Sequence, residues 1–385
     1  MTSALLMRFI LCPAAAEGQG FSCFLVFPGP PLYNPRGMVE RKTILVVETG
    51  RLGDLVMVTP ALETLRSGRP DARIVVAGSW PLAILAHHPA VDDLVEVPYP
   101  NPRWLRLAIE RRRWGRWLGR QNACAVLLCH GHDHRVWQWA ARRAGVQRVL
   151  SERLSQPVGG HHSERLHRLA LEIVGGTGPA PPVRLFLAAD ERAAARRRLA
   201  ALGRDPGRLL VGVHVGVGRL SRTRRTVSRK MWPLERWARL VPDLVGRWGA
   251  QILFTGVAAE APEVAKVAAM LPDGAAINLA GRTDLRELAA AVAECDLLIT
   301  PDTGLMHVAA ALDVPLVAVF SVTSASEVGP RGPGGRHTIV ASEAPCLPCP
   351  RSLQKHCPRS LCTDDLTVDR VRQAVEEWLG RLPPR

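Results

Sequence analysis

The sequence predicts an α/β protein with two parallel sheets, and three observations carry that expectation. Short, nearly continuous apolar runs recur along the chain. A helical stretch follows almost every one. A Gly/Pro-rich segment, Gly175–Pro182 (GGTGPAPP), splits the series in two. Strands that read as unbroken apolar runs belong to parallel sheets covered on both faces, and the alternation with helices supplies the crossovers. Two such series imply two Rossmann-like domains facing a central cleft, over residues 38–182 and 183–385. Ligands in such sheets sit beyond the carboxyl ends of the strands.

The elements follow in order. Thr43–Glu48 (TILVVE) is a β-branched run and reads as a buried strand. A turn with Gly50, Gly53 and Asp54 leads into a helix over Leu55–Arg66. Arg73–Ala77 is the second strand, and Leu94–Val97, Ala125–Cys129 and Arg148–Leu150 are further ones. Helical stretches lie near 81–88, 103–119, 134–144 and 163–174. After the linker the alternation restarts with a strand at Arg208–His214, a helix at Leu234–Trp248 and a strand at Gln251–Thr255. Helix Ala259–Met270, strand Ile277–Leu279, helix Asp284–Glu294 and strand Asp296–Thr300 come next. Helix Gly304–Leu312, strand Pro315–Phe320 and a closing helix at Val368–Leu379 complete the series.

Composition narrows the classes. At 47% hydrophobic the 385-residue chain is not disordered, and no apolar run approaches the roughly 18 residues of a spanning helix. Nine cysteines are too few for a disulfide scaffold. The net charge of +15 predicts anionic partners without choosing among nucleic acid, phosphorylated ligands and an acidic membrane face. Residues 1–37 have no periodicity and are broken by Pro28, Pro30, Pro31 and Pro35. They read as a disordered extension or an over-called start, with Met38 opening an ordinary protein beginning.

Two strand-to-helix junctions carry chemistry-bearing residues. Thr49-Gly50-Arg51-Leu52-Gly53-Asp54 follows the first strand. Asp54 there is either a helix N-cap or a carboxylate able to take a proton from an attacking hydroxyl. Pro301-Asp302-Thr303-Gly304-Leu305-Met306-His307 opens a helix whose free amides suit a phosphate, with His307 on the first turn; Asp302 or Thr303 can equally be a plain cap. Arg219–Lys230 follows the strand ending at His214 and ends on Lys230, which can neutralise a leaving diphosphate at the cleft edge. Asn101–Arg120 mixes seven arginines with Trp104, Trp114 and Trp117, as in a helix lying on an anionic membrane, an RNA-binding helix or a solvated outer helix. Cys346, Cys349, Cys357 and Cys362 leave a structural metal and reduced thiols both open, the thiols weighing more.

Taken together, ILVVETGRLGDLVMVTPALETLRSGRPDARIVV, KMWPLERWARLV and PDTGLMHVAAALDVPLVAVFSVTSASEVGPRG resemble the signatures of glycosyltransferase family 9, the ADP-heptose:lipopolysaccharide heptosyltransferases. The terminal CLPC…C…C looks like many members too. The resemblance covers about residues 42–380. It implies a GT-B fold, no cofactor beyond a nucleotide-sugar co-substrate, and no bound metal. It makes Asp54 the general base and Lys230, Thr255, Gly256, Glu260, Asp302, Thr303, Gly304 and His307 donor-binding. The family often has Ser-Ser-Leu-Gly-Asp at the first junction. Arg51 here departs from that, as an acceptor-phosphate contact. The implied partners are ADP-heptose and a lipopolysaccharide-type glycolipid, with no nucleic acid. The implied location is cytoplasmic, with peripheral contact at the anionic inner membrane face. The rival readings are a non-enzymatic protein binding nucleic acid or an anionic membrane, and another nucleotide-sugar enzyme of the same fold, such as an epimerase.

Overall fold

The computed structural model describes residues 41–78, 81–97, 104–129, 134–152, 159–216, 230–349, 357 and 361–381. The extension 1–37 and the basic run from Arg219 to Arg229 lie outside the described residues. Residues 40–385 form one compact unit.

The first sheet contains β1 (Thr43–Glu48), β2 (Arg73–Gly78), β3 (Asp93–Glu96), β4 (Ala123–Leu128) and β5 (Arg148–Ser151). Its order is β3-β2-β1-β4-β5, all parallel. The helices are α1 (Leu52–Met57), α2 (Thr59–Gly68), α3 (Trp104–Arg120), α4 (His134–Arg143) and α5 (His162–Val174), with a 3-10 turn at Leu82–Leu85. Alternate strand residues feed the two faces, as a period of two requires. Ile44, Val46, Ile74, Val76 and Leu127 face a core shared with α1, α2 and α5. Leu45, Val47, Val75, Val126 and Leu128 face Trp114, Trp117 and Trp137 of α3 and α4.

The second sheet contains β6 (Leu210–His214), β7 (Gln251–Thr255), β8 (Ala276–Asn278), β9 (Leu297–Pro301), β10 (Leu316–Phe320) and β11 (His337–Ala341). Its order is β11-β10-β9-β6-β7-β8, again all parallel. Around it lie α6 (Ala189–Ala201), α7 (Leu234–Trp248), α8 (Ala261–Ala268), α9 (Leu285–Val292), α10 (Gly304–Ala311), α11 (Ala325–Val328), α12 (Leu361–Asp364) and α13 (Val368–Leu379). Both sheets are doubly wound, so each has a topological switch point, between β1 and β4 and between β6 and β9. Ligands of such sheets bind at those crevices.

The structure differs from the sequence reading at a few elements. The helix expected over Leu55–Arg66 is two helices meeting at Val58, because Pro60 at the start of α2 has no N–H to carry α1 onward. Helix α6 was not expected: its ADERAAARRRLAA sequence has no apolar stripe, only high helix propensity and acidic residues in the first turn. The edge strand β11 was also missed. Trp114 and Trp117 are core residues against the sheet and so are not available to a membrane.

Candidate active site

The two junctions singled out in the sequence meet in space. Helix α1 leaves the first switch point, α10 leaves β9 at the second, and their first turns pack against each other. The contact is reciprocal. A Cβ on Gly53 of α1 would lie 2.7 Å from His307 Cδ2 of α10, and a Cβ on Gly304 of α10 would lie 2.8 Å from Leu52 Cβ of α1. Each glycine makes room for a side chain of the other helix. Gly53→Ala should therefore force the helices apart, at about 1–3 kcal/mol of overpacking. Thermal unfolding checks this, and an unchanged midpoint would show that His307 can step aside.

Asp54 sits at the third position of α1, with Arg51 at the cap position. Its Oδ2 accepts the Arg51 amide at 2.8 Å, so it holds the helix start without being the cap residue. Glu48, at the end of β1, accepts the Gly50 amide at 2.6 Å. Two carboxylates thus bracket the turn that carries Arg51, which is exposed.

On the other side, Asp302 is 7% exposed. Its Oδ2 accepts from Lys230 Nζ and from Thr323 Oγ1, the latter at 2.6 Å. Lys230 therefore reaches the site already paired with Asp302. Thr303 occupies the cap position of α10 in extended conformation, with its hydroxyl on Thr300 Oγ1 at 3.1 Å and no side-chain hydrogen bond to the helix amides. Lys230 balances the charge of the Asp302 carboxylate, and the Thr323 hydroxyl holds that carboxylate in place.

His307 is buried, and burial pushes its pKa down to about 4 against the pull of Asp302 and Asp54. At neutral pH it is an uncharged imidazole between two carboxylates, a hydrogen-bonding group and not a cation for phosphate. Thr255, at the end of β7, is fully buried with Oγ1 3.0 Å from His214 Nδ1. Burial holds His214 below its usual value, with the Glu260 carboxylate opposing. Glu260 itself is 2% exposed, and its Oε2 accepts the Val257 amide at 2.9 Å, beside Gly256.

Sequence reading missed a second group of ionisable residues around the same place. His161 at the start of α5 sends Nε2 to the Gly329 carbonyl at 2.9 Å, joining the first-sheet half to the second, and burial pushes its pKa down to about 4. His162 Nδ1 and Arg165 Nε both reach Glu152 Oε1, at 3.0 and 2.7 Å. Burial alone would raise Glu152, but those two partners hold it at about 2. Arg331 pairs with Glu164 at 2.5 Å. Only the adjacent pair His161-His162 at a helix start could have been noticed in the sequence. Of the terminal cysteines, Cys346 is exposed, Cys349 and Cys357 are half-buried, and Cys362 is buried near Val322 and Ala344. Among the described residues no group of three or more His, Cys, Asp or Glu is arranged to hold a metal ion. Nor, among them, is any helix long and apolar enough to cross a membrane.

Comparison with known proteins adds an independent line. The model of glycosyltransferase family 9 (heptosyltransferase) matches residues 119–358. Lipopolysaccharide heptosyltransferase 1 of Pseudomonas aeruginosa is 26% identical over 362 residues, 89% of this chain and 95% of that protein. Lipooligosaccharide heptosyltransferase 2 of Haemophilus influenzae is 26% identical over 305 residues, 73% of this chain and 84% of that protein. The structure of the Escherichia coli ADP-heptose lipopolysaccharide heptosyltransferase II superposes with a TM-score of 0.68 at 20% identity, covering 88% of this chain and 99% of that one.

Proposed function

Since this chain belongs to glycosyltransferase family 9, the heptosyltransferase family, we propose that it moves heptose from ADP-heptose to a lipopolysaccharide-core or related glycan acceptor in one inverting displacement. It is a glycosyltransferase of the GT-B fold. The observation that carries the proposal is the interlock of α1 and α10. It brings the Asp54 turn and the Lys230–Asp302 pair to one place from two different sheets.

The acceptor hydroxyl gives its proton to Asp54 as its oxygen attacks the anomeric carbon. The bond to the diphosphate breaks on the opposite side, and ADP leaves. Negative charge grows on the diphosphate in that step. Lys230 and the first amides of α10 stabilise it where it develops, which lowers the barrier more than it strengthens ground-state binding. Asp302 and Thr323 hold Lys230 in place. Exposed Arg51, beside the base, takes an acceptor phosphate. Thr255, Gly256 and Glu260 shape the nucleotide end of the crevice beyond β7, and Thr303, Gly304 and His307 its phosphate end. The reaction belongs to the cytoplasm, where a nucleotide sugar is available.

Calorimetric titration of the protein with ADP, UDP and GDP tests the donor site. ADP should bind at least about tenfold more tightly than the other two. Lys230→Ala alone would strand a buried carboxylate, so the informative variant is Lys230→Met with Asp302→Asn, which removes both charges. It should weaken ADP binding by a similar factor. Equal, steeply salt-sensitive binding of all three nucleotides would reduce the site to a generic basic surface.

A further inference from the structure

One buried carboxylate of the crevice takes no part in the proposed displacement. Glu48 is the last residue of β1 and is 3% exposed. Strand β1 runs between β2 and β4 at the switch point of the first sheet, so its end is held from both sides. The Glu48 side chain turns back over the loop that follows, and its Oε1 accepts the Gly50 amide at 2.6 Å. A carboxylate shut away from water needs donors of this kind. That bond accounts for the burial of Glu48. It does not account for the group on the other side of Gly50.

That group is Asp54. A Cβ on Gly50 would lie 2.6 Å from Glu48 Oε1 and 2.6 Å from Asp54 Oδ2. The two carboxylates therefore close on the turn from the same side, in space that only a glycine leaves open. Like charges that near repel unless donors hold them. Two consecutive amides do so, Gly50 to Glu48 and Arg51 to Asp54. These amides belong to adjacent peptide planes. Glu48 fixes the first, and the first sets the direction of the second, which is the anchor of Asp54 Oδ2. Asp54 Oδ1 has no hydrogen-bond partner among the described residues, and it is the oxygen left to meet an acceptor hydroxyl.

We propose that Glu48 is a positioning residue for sugar transfer: through the Gly50–Arg51 turn it aims Asp54 at the acceptor hydroxyl. This rests on the transferase reading given above. Glu48 touches no reacting atom. Its effect is on the geometry of the base, and a misplacement of about 1 Å at a reacting group is enough to slow a reaction by up to about 100-fold.

Kinetics of the full chain with ADP-heptose and a heptose-free lipopolysaccharide, together with hydrogen exchange, test this. Glu48→Ala should lower kcat by about 10–100-fold and leave KM for ADP-heptose unchanged. Glu48→Gln keeps an accepting oxygen and should restore most of the rate. Gly50→Ala leaves Glu48 in place but puts a methyl where the two oxygens close in, and it should match Glu48→Ala; it replaces that variant should Glu48→Ala not fold. In an Asp54→Asn background either change should cost no more than about twofold further, because the base it serves is gone. Exchange of the Arg51 amide needs no substrate. It should quicken by about tenfold in Glu48→Ala and stay slow in Glu48→Gln. Full kcat in Glu48→Ala, an undiminished loss in the Asp54→Asn background, or unchanged Arg51 exchange would overturn the assignment. If Arg51 exchange responds as expected and the wild-type chain still transfers no sugar, the transferase reading itself fails, and with it any role for Glu48 in transfer.

Discussion

Asp54→Asn should lower the rate of sugar transfer by about 10²–10⁴-fold while the protein stays folded and still binds nucleotide. Asp54 holds a helix start in this structure and is the base of the proposed reaction, and the amide separates the two roles. Its Oδ2 accepts the Arg51 amide and so holds the first turn of α1. An asparagine carbonyl oxygen accepts the same bond, so the turn, and with it the Gly53–His307 contact, is kept. What asparagine cannot do is take the acceptor proton. Asp54→Ala removes both functions and should add about 1 kcal/mol of lost helix capping to the loss of turnover. Comparing turnover with the unfolding midpoint in the two variants distinguishes a base from a cap. Full turnover in Asp54→Asn would remove Asp54 from the chemistry and leave it as a helix-start residue only.

Acidification should destabilise the fold by several kcal/mol between pH 6.5 and 4. Burial holds His88, His161 and His307 at about 4, against an ordinary value of 6.5. Each is neutral when folded and takes up a proton on unfolding in that range. The unfolded state then binds more protons, so stability falls as the pH falls, and the loss is complete near pH 4. At 1.36 kcal/mol per pKa unit the ceiling is on the order of 3 kcal/mol for each histidine. Glu152, held at about 2, adds a separate loss over pH 4.5 to 2 as its pairs with His162 and Arg165 are protonated away. Urea midpoints measured at pH 6.5, 5.5 and 4.5 should fall steadily. A flat midpoint across those values would mean that the imidazoles are solvated or charged in the folded protein. Because His161 bonds to Gly329 and His307 packs on Gly53, the destabilisation should appear first where the two sheets' halves meet.

The site was partly legible in advance, for an identifiable reason. Asp54, Lys230, Asp302, Thr303 and His307 stand at strand ends or helix starts, and such positions can be located from local patterning. Their partners cannot. Lys230 and Asp302 are 72 residues apart in sequence, and only the packing of β9 and the chain before α7 makes them an ion pair. Glu152, His161 and His162 belong to no motif and gain their meaning from burial and from the partners the fold brings to them. Asp54 reads from its position as a possible cap, but the structure makes it the third residue of the helix, one hydrogen bond from Arg51.

Local patterning alone was enough to place ten of the eleven strands, the division into two β–α series and the two strand-to-helix junctions that meet in space. Apolar period and turn residues are short-range properties, and burial on both faces of a parallel sheet writes them into the chain. Helix α6 escaped because its residues favour a helix without marking a buried face. The strand orders, the glycine interlock of α1 with α10, the neutral buried histidines and the inward turn of Trp114 and Trp117 were decided by tertiary structure. Each depends on which distant surface a residue meets, and therefore on desolvation and shape, which no local window of sequence contains.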